Sequence, residues 1–178
     1  MNTTPAKTAQ KKPQEATALL RADHELIAQL FSDYESSKSN INNNNNNNNR
    51  EIVANICKEL SVHAQVEEEI FYPVFKKAMR EELLVPEATV EHATLNDLIA
   101  QEGEEPDGEM FDAKIKVLSE YMKHHVKEEQ NEMFPKAKAS EMDLVEMGVQ
   151  IAQRKQTLIS KYAESESLET SDALGSST

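Results

Sequence analysis

Two stretches of this chain are built on one spacing: HAQVEEEIFYP at 63–73 and HVKEEQNEMFP at 125–135. In each, a histidine (His63, His125) is followed four residues later by a glutamate (Glu67, Glu129) and ten residues later by a proline (Pro73, Pro135). On an α-helix that four-residue interval places both side chains on one face, one turn apart. The faces are otherwise greasy. One reads Ile52, Ile56, Leu60, His63, Glu67, Ile70, Val74; the other reads Phe111, Ile115, Leu118, Met122, His125, Glu129, Met133.

Two more stripes carry one histidine each: Leu20, His24, Ile27, Phe31, Tyr34, and Ala88, His92, Leu95, Ile99. DHELIAQLF (23–31) and EHATLNDLI (91–99) share an acid, a histidine and then apolar positions. Each precedes a long helix bearing the histidine–glutamate pair, so the chain reads as two loosely repeated helix pairs. Two such pairs make an all-α four-helix bundle. The predicted helices are 14–35, 50–82 (bent or restarted at Pro73), 86–101 and 110–138. A fifth, 141–162, carries Met147, Ile151, Leu158 and Tyr162 on one face. It reads as an additional C-terminal helix over 139–163, docked on the bundle or forming a homo-oligomer surface. The bundle itself occupies 15–138. Residues 1–14 and 164–178 are polar and poor in large apolar groups, and read as disordered tails. The asparagine-rich linker ending at Asn49 reads as a mobile loop, and GEEPDGE at 103–109 as a second loop.

Four histidines and two glutamates thus lie on stripes that should point inward. Burying a single unpaired carboxylate costs several kcal/mol. A stability of about 5–15 kcal/mol cannot absorb the whole set without compensation. Metal cations compensate. With Glu67 and Glu129 bridging two cations about 3.5–4 Å apart, two histidines remain for each. His24, His63, His92, His125, Glu67 and Glu129 are therefore the candidate ligands. A nitrogen and oxygen set without thiolate suits iron, with manganese and zinc as alternatives.

The six positions and two trailing prolines together resemble the hemerythrin-like HHE cation-binding family, over roughly residues 15–138. The resemblance implies an up-and-down four-helix bundle around a non-haem di-iron centre, oxo- or hydroxo-bridged, that binds oxygen, nitric oxide or peroxide for sensing, storage or stress protection. Two departures bear on the role. Oxygen-carrying hemerythrins have a further histidine four residues after the one matching His92, where this chain has Asn96. Relatives that repair iron–sulfur clusters carry an N-terminal cysteine motif, and here no cysteine precedes Cys57. A di-iron oxidoreductase turning over peroxide or nitric oxide, and a metal-free helical interaction module, are the alternatives.

The remaining polar and aromatic positions read as structural. His124, next to His125 but about 100° around the helix, is a flanking surface histidine, the alternative being that it replaces or assists His125. Glu68, Glu69 and Glu128 form a solvated face, with a proton relay as the alternative. Tyr34, Tyr72 and Phe134 pack, with Tyr34 able to line the pocket, and Cys57 is a small buried hydrophobe. A formal charge of −13, from 32 acidic against 19 basic residues, argues against a nucleic-acid partner, which needs a basic face. One cysteine excludes an internal disulfide and a thiolate metal site. No apolar run approaches bilayer length and the N-terminal stretch lacks a signal-peptide core. The expected location is the cytoplasm, away from membranes.

Overall fold

The computed structural model describes residues 13–38, 45–80, 83–100 and 109–175, and among them every regular element is helical. The order is α1 (Ala16–Lys38), α2 (Asn45–Val66), α3 (Tyr72–Met79), α4 (Leu84–Ala100), α5 (Glu109–Glu128), α6 (Phe134–Lys138) and α7 (Leu144–Gly175). Five-residue π-helical turns, Glu67–Phe71 and Glu129–Met133, join α2 to α3 and α5 to α6 without breaking the rod. Four rods result: α1, α2–α3, α4 and α5–α6. They pack as an up-and-down bundle. α1 meets α2 and α5, and α4 meets α2 and α5. Near the end of α1, the Tyr34 hydroxyl donates to Asp112 Oδ1 (2.6 Å) and Lys38 pairs with Asp112 (2.9 Å) at the start of α5. That contact fixes the two as antiparallel neighbours.

Each proline sits at the start of α3 or α6, right after a π turn. Its ring would clash with the carbonyl four residues back in a regular α-helix. Widening the preceding turn relieves this: the backbone N–H groups of Tyr72 and Phe134 donate to the carbonyls of Glu67 and Glu129, five residues back. The expected bend at Pro73 is therefore a bulge inside a continuous rod. After α3 the chain turns at Arg80, in the left-handed region with φ 51°.

Two apolar clusters fill the bundle. One, near the end formed by the start of α1 and by α3 and α6, contains Leu20, Val62, Val66, Phe71, Phe75, Met133 and Phe134, with Leu144, Met147, Ile151 and Leu158 of α7. The other, toward the opposite end, contains Ile27, Phe31, Tyr34, Ile56, Leu60, Leu95, Ile115, Leu118 and Met122. Along each stripe the histidine falls where one cluster gives way to the other: His24 between Leu20 and Ile27, His63 between Leu60 and Val66. The core is thus two apolar layers with a polar layer between.

Several sequence expectations shift. The second helix begins at Asn45, so asparagines 45–49 are helical rather than looped. Ser37 Oγ, also near the Tyr34 carbonyl, donates to Asn49 Oδ1 at 2.5 Å and ties the end of α1 to that first turn. The C-terminal helix starts at Leu144, where Asp143 Oδ1 accepts the Glu146 N–H at 2.9 Å in a side-chain cap. It runs to Gly175, beyond the expected boundary at 163. Residues 1–12, 39–44, 81–82, 101–108 and 176–178 lie outside the described residues, with most of the N-terminal tail and nearly all of the 103–109 loop.

α7 docks on α1 and α2 rather than leaving its apolar stripe uncovered. Close approach depends on Gly148, where an added Cβ would stand 2.1 Å from the Gln14 carbonyl oxygen and 3.0 Å from Ala16 N. Those atoms are backbone and cannot swing away. Gly148→Ala should cost about 1–3 kcal/mol by overpacking, although alanine is the better helix former. Thermal denaturation checks it: a Tm equal to or above wild type would mean the helix does not sit so close.

Candidate metal centre

The polar layer gathers all six sequence-predicted residues, each no more than 3% exposed. The four imidazoles turn Nε2 toward one another in two pairs. His24 Nε2 lies 3.1 Å from His63 Nε2, and His92 Nε2 lies 3.1 Å from His125 Nε2. Glu67 Oε2 stands 3.2 Å from His63 Nε2, 3.5 Å from His92 Nε2 and 3.8 Å from His125 Nε2. Glu129 Oε2 stands 3.2 Å from His24 Nε2 and 3.6 Å from His125 Nε2. Each carboxylate therefore reaches both histidine pairs. Donor atoms fall into two clusters compact enough for one cation each: His24, His63, Glu67 and Glu129, and Glu67, His92 and His125.

The outward nitrogens are held in the manner of metal-ligating histidines, whose second ring nitrogen meets a carboxylate or amide. His125 Nδ1 lies 2.8 Å from Glu91 Oε2, and His92 Nδ1 lies 3.0 Å from Glu68 Oε1. His24 Nδ1 lies 3.0 Å from the Gln130 side-chain amide, which Arg21 anchors by donating to Gln130 Oε1 at 3.0 Å. His63 Nδ1 faces Asp23 Oδ2 at 3.7 Å, and Lys155 of α7 pairs with the other oxygen of Asp23. The pattern follows the sequence repeat. The acid before one histidine (Asp23, Glu91) faces the histidine of the next helix, and the residue after each central glutamate (Glu68, Gln130) faces the histidine of the opposite half.

One position breaks the repeat. Tyr72 and Phe134 both lie five residues after their glutamate. The Tyr72 ring stacks on His92 with centroids 5.5 Å apart, and Phe134 stacks on His24 at 5.8 Å. Only the tyrosine brings a hydroxyl, which donates to Glu129 Oε1 (3.0 Å) and Glu67 Oε2 (3.2 Å) and lies 3.4 Å from His92 Nε2. Sequence reasoning assigned Tyr72 to packing and Glu68 to a solvated face. Both instead touch the polar layer. The acids before His24 and His92 were a visible signal, but their partners across helices were not.

Other candidates fall away from the centre. His124 is 60% exposed, pairing with Glu91 (3.4 Å) and Glu128 (3.3 Å). Glu69 pairs with Arg154 of α7 at 2.6 Å. Tyr34 is buried in the far apolar cluster, Cys57 is half-buried beside it, and Asn96 is exposed.

Electrostatics show how poorly the metal-free layer suits its own charges. Burial, then the charge of Glu129, pushes the Glu67 carboxyl well above its ordinary range. Burial also works against ionised Glu129, but His125 and His24 outweigh it and hold that carboxyl low. Two carboxylates in one dry cavity disfavour each other's charge, and the penalty falls on Glu67. Burial, with Asp23 opposing, lowers His63 to about 4, and burial with the His125 charge lowers His92 to about 2. His125 is pulled the other way: burial is overcome by Glu129, Glu67 and Glu91, which raise it well above the imidazole range. Burial and the two glutamate charges also raise the Tyr72 phenol, so it keeps its proton and acts as donor. Even so, Glu67 Oε1 and Glu129 Oε2 are buried with no hydrogen-bond partner. Carboxylate oxygens left unmatched beside inward-facing imidazole nitrogens are groups that a bound cation would satisfy.

Comparison with known proteins agrees with the geometry. The family model for the hemerythrin HHE cation-binding domain matches residues 15–137. The crystal structure of a hemerythrin HHE cation-binding domain-containing protein from Mycobacterium kansasii superposes with a TM-score of 0.65. It is 20% identical, and the match covers 82% of this chain and 87% of that one. No curated protein matches in sequence. Among the described residues no helix is long and apolar enough to cross a membrane.

Proposed function

Since the chain belongs to the hemerythrin HHE cation-binding family, we propose that its polar layer holds two iron ions and binds a small ligand there. Oxygen, nitric oxide and peroxide are the ligand class. One observation carries this reading: each of two buried carboxylates spans both histidine pairs, and each leaves an oxygen without a hydrogen-bond partner. His24 and His63 would hold one ion, His92 and His125 the other, with Glu67 and Glu129 shared. Two iron ions so held would supply reversible electron exchange with a bound small molecule.

The chain's own part is orientation, dryness and proton control. Glu91, Glu68 and Gln130 fix three of the rings so that Nε2 faces inward, and Asp23 faces the fourth. The apolar layers on either side keep bulk water out. Tyr72 holds a proton 3.0 Å from Glu129 Oε1, which favours a second reading, turnover of peroxide or nitric oxide.

Elemental analysis of the purified protein, with its visible spectrum before and after oxygen and nitric oxide, tests the proposal. Near two irons per chain with a ligand-dependent spectrum is the expected result. One metal per chain, or a spectrum indifferent to both gases, overturns it. Repeated consumption by the reduced protein would favour the second reading over stoichiometric binding.

A further inference from the structure

The histidine-to-glutamate interval occurs a third time in this chain. HHVKEE at 124–129 holds two copies offset by one residue: His125 with Glu129 facing the polar layer, and His124 with Glu128 about 100° around the helix. The matching positions of the first half are Val62 and Val66, both buried, so the outer copy belongs to α5 alone. His124 Nε2 lies 3.3 Å from Glu128 Oε1 and 3.4 Å from Glu91 Oε1 of α4. One donor atom from each of the three falls within 4.8 Å of the other two. Glu91 is anchored there, only 13% exposed, because its second oxygen holds the His125 ring at 2.8 Å.

The other half of the repeat indicates what such a group of side chains receives. Asp23 is the counterpart of Glu91: one oxygen faces His63, and the other meets the Lys155 ammonium delivered by α7. Glu91 divides its oxygens in the same way, between His125 within and His124 outside. Yet α7 docks on α1 and α2, and among the described residues no lysine or arginine pairs with Glu91 or Glu128. Glu87 and Glu132 add further negative charge around Glu128.

We propose that Glu91, His124 and Glu128 bind a divalent first-row cation at the surface, separate from any ion of the polar layer. One imidazole and two carboxylates suit zinc, iron(II) or manganese. The four-residue interval puts His124 and Glu128 on one helix face, and Glu91 closes the set from the neighbouring helix. His124 is 60% exposed, so water completes the coordination and the ion exchanges freely with solvent. Glu91 serves both sites, which places a surface cation one carboxylate away from His125.

Calorimetric titration of the full chain with zinc, at neutral pH, tests the site. Wild type should bind one zinc ion more than His124→Ala and one more than Glu128→Gln, or hold that ion roughly ten-fold more tightly or better. The count is a difference between chains that share the same inner layer, so it stands whether or not the di-iron reading does. Both variants should melt with the wild type, since neither residue belongs to the core. Zinc-soaked crystals should show an anomalous peak about 2.0–2.2 Å from His124 Nε2 and from an oxygen of each glutamate. Equal zinc counts and affinities in wild type and His124→Ala overturn the site, as does zinc bound elsewhere with no peak between the three side chains. His124 would then be a protonated imidazole that pairs with two carboxylates and holds no ion.

Discussion

Glu67→Ala and Glu129→Ala are each expected to strip the protein of most of its metal, not of half. The reason is geometric. Glu67 Oε2 lies within 3.8 Å of three imidazoles drawn from both pairs, and Glu129 Oε2 within 3.6 Å of one from each. Removing either takes a ligand from both ions. Loss of an outer partner alone typically costs 10–100-fold in metal affinity, so loss of an inner oxygen shared by two ions should cost about 10,000-fold or more. A ligand at a thousand times its Kd contributes about 4 kcal/mol of stability, worth roughly 2–4 °C per kcal/mol in a chain of this size. Each variant should therefore melt roughly 8–16 °C below the metal-loaded wild type, close to the chelated wild type. Elemental analysis and calorimetry on the same samples decide. Two metals retained in either variant would end the bridging assignment.

The second large effect has the opposite sign. Glu67→Leu/Glu129→Leu/Tyr72→Phe removes both central carboxylates together with the hydroxyl that donates to them. The metal-free protein should gain about 1–4 kcal/mol, the range seen when buried charged groups give way to apolar ones of similar volume. Taking out donor and acceptors at once avoids stranding either. The variant should bind no metal and yet resist denaturant better than chelated wild type. A less stable triple variant would mean that the polar layer is a structural network in its own right. The contrast matters because it separates two explanations of the six buried groups. If they serve the fold, replacing them weakens it; if they serve cations, replacing them relaxes it.

Much of this could be read from residues alone, because helical periodicity is a strong signal on long elements. The stripes placed four histidines and two glutamates inward, and all six meet in one layer. What escaped depended on geometry that the regular helix does not supply. Tyr72 looked like packing because an ideal 3.6-residue period turns it about 140° away from Glu67, whereas the π turn brings its hydroxyl to both carboxylates. Glu68 looked solvated because it is partly so, at 41% exposure, while its carboxylate still reaches His92. The Asp23–Lys155 pair spans 132 residues and joins a helix that periodicity could describe but not dock. The helical start at Asn45 runs against asparagine's preference for turns, with the Ser37–Asn49 contact binding that end to α1.

The division of the hydrophobic interior into two compartments has an uneven consequence. One compartment is sealed by α7; the other relies on four helix ends and the Asp112 contacts. Under the proposed function, cations held between them would act as a rivet that makes the two melt together. Pull the rivet and the weaker compartment is free to fray first while the sealed one stays shut, so starvation for iron would register as a half-open protein before it registered as an unfolded one.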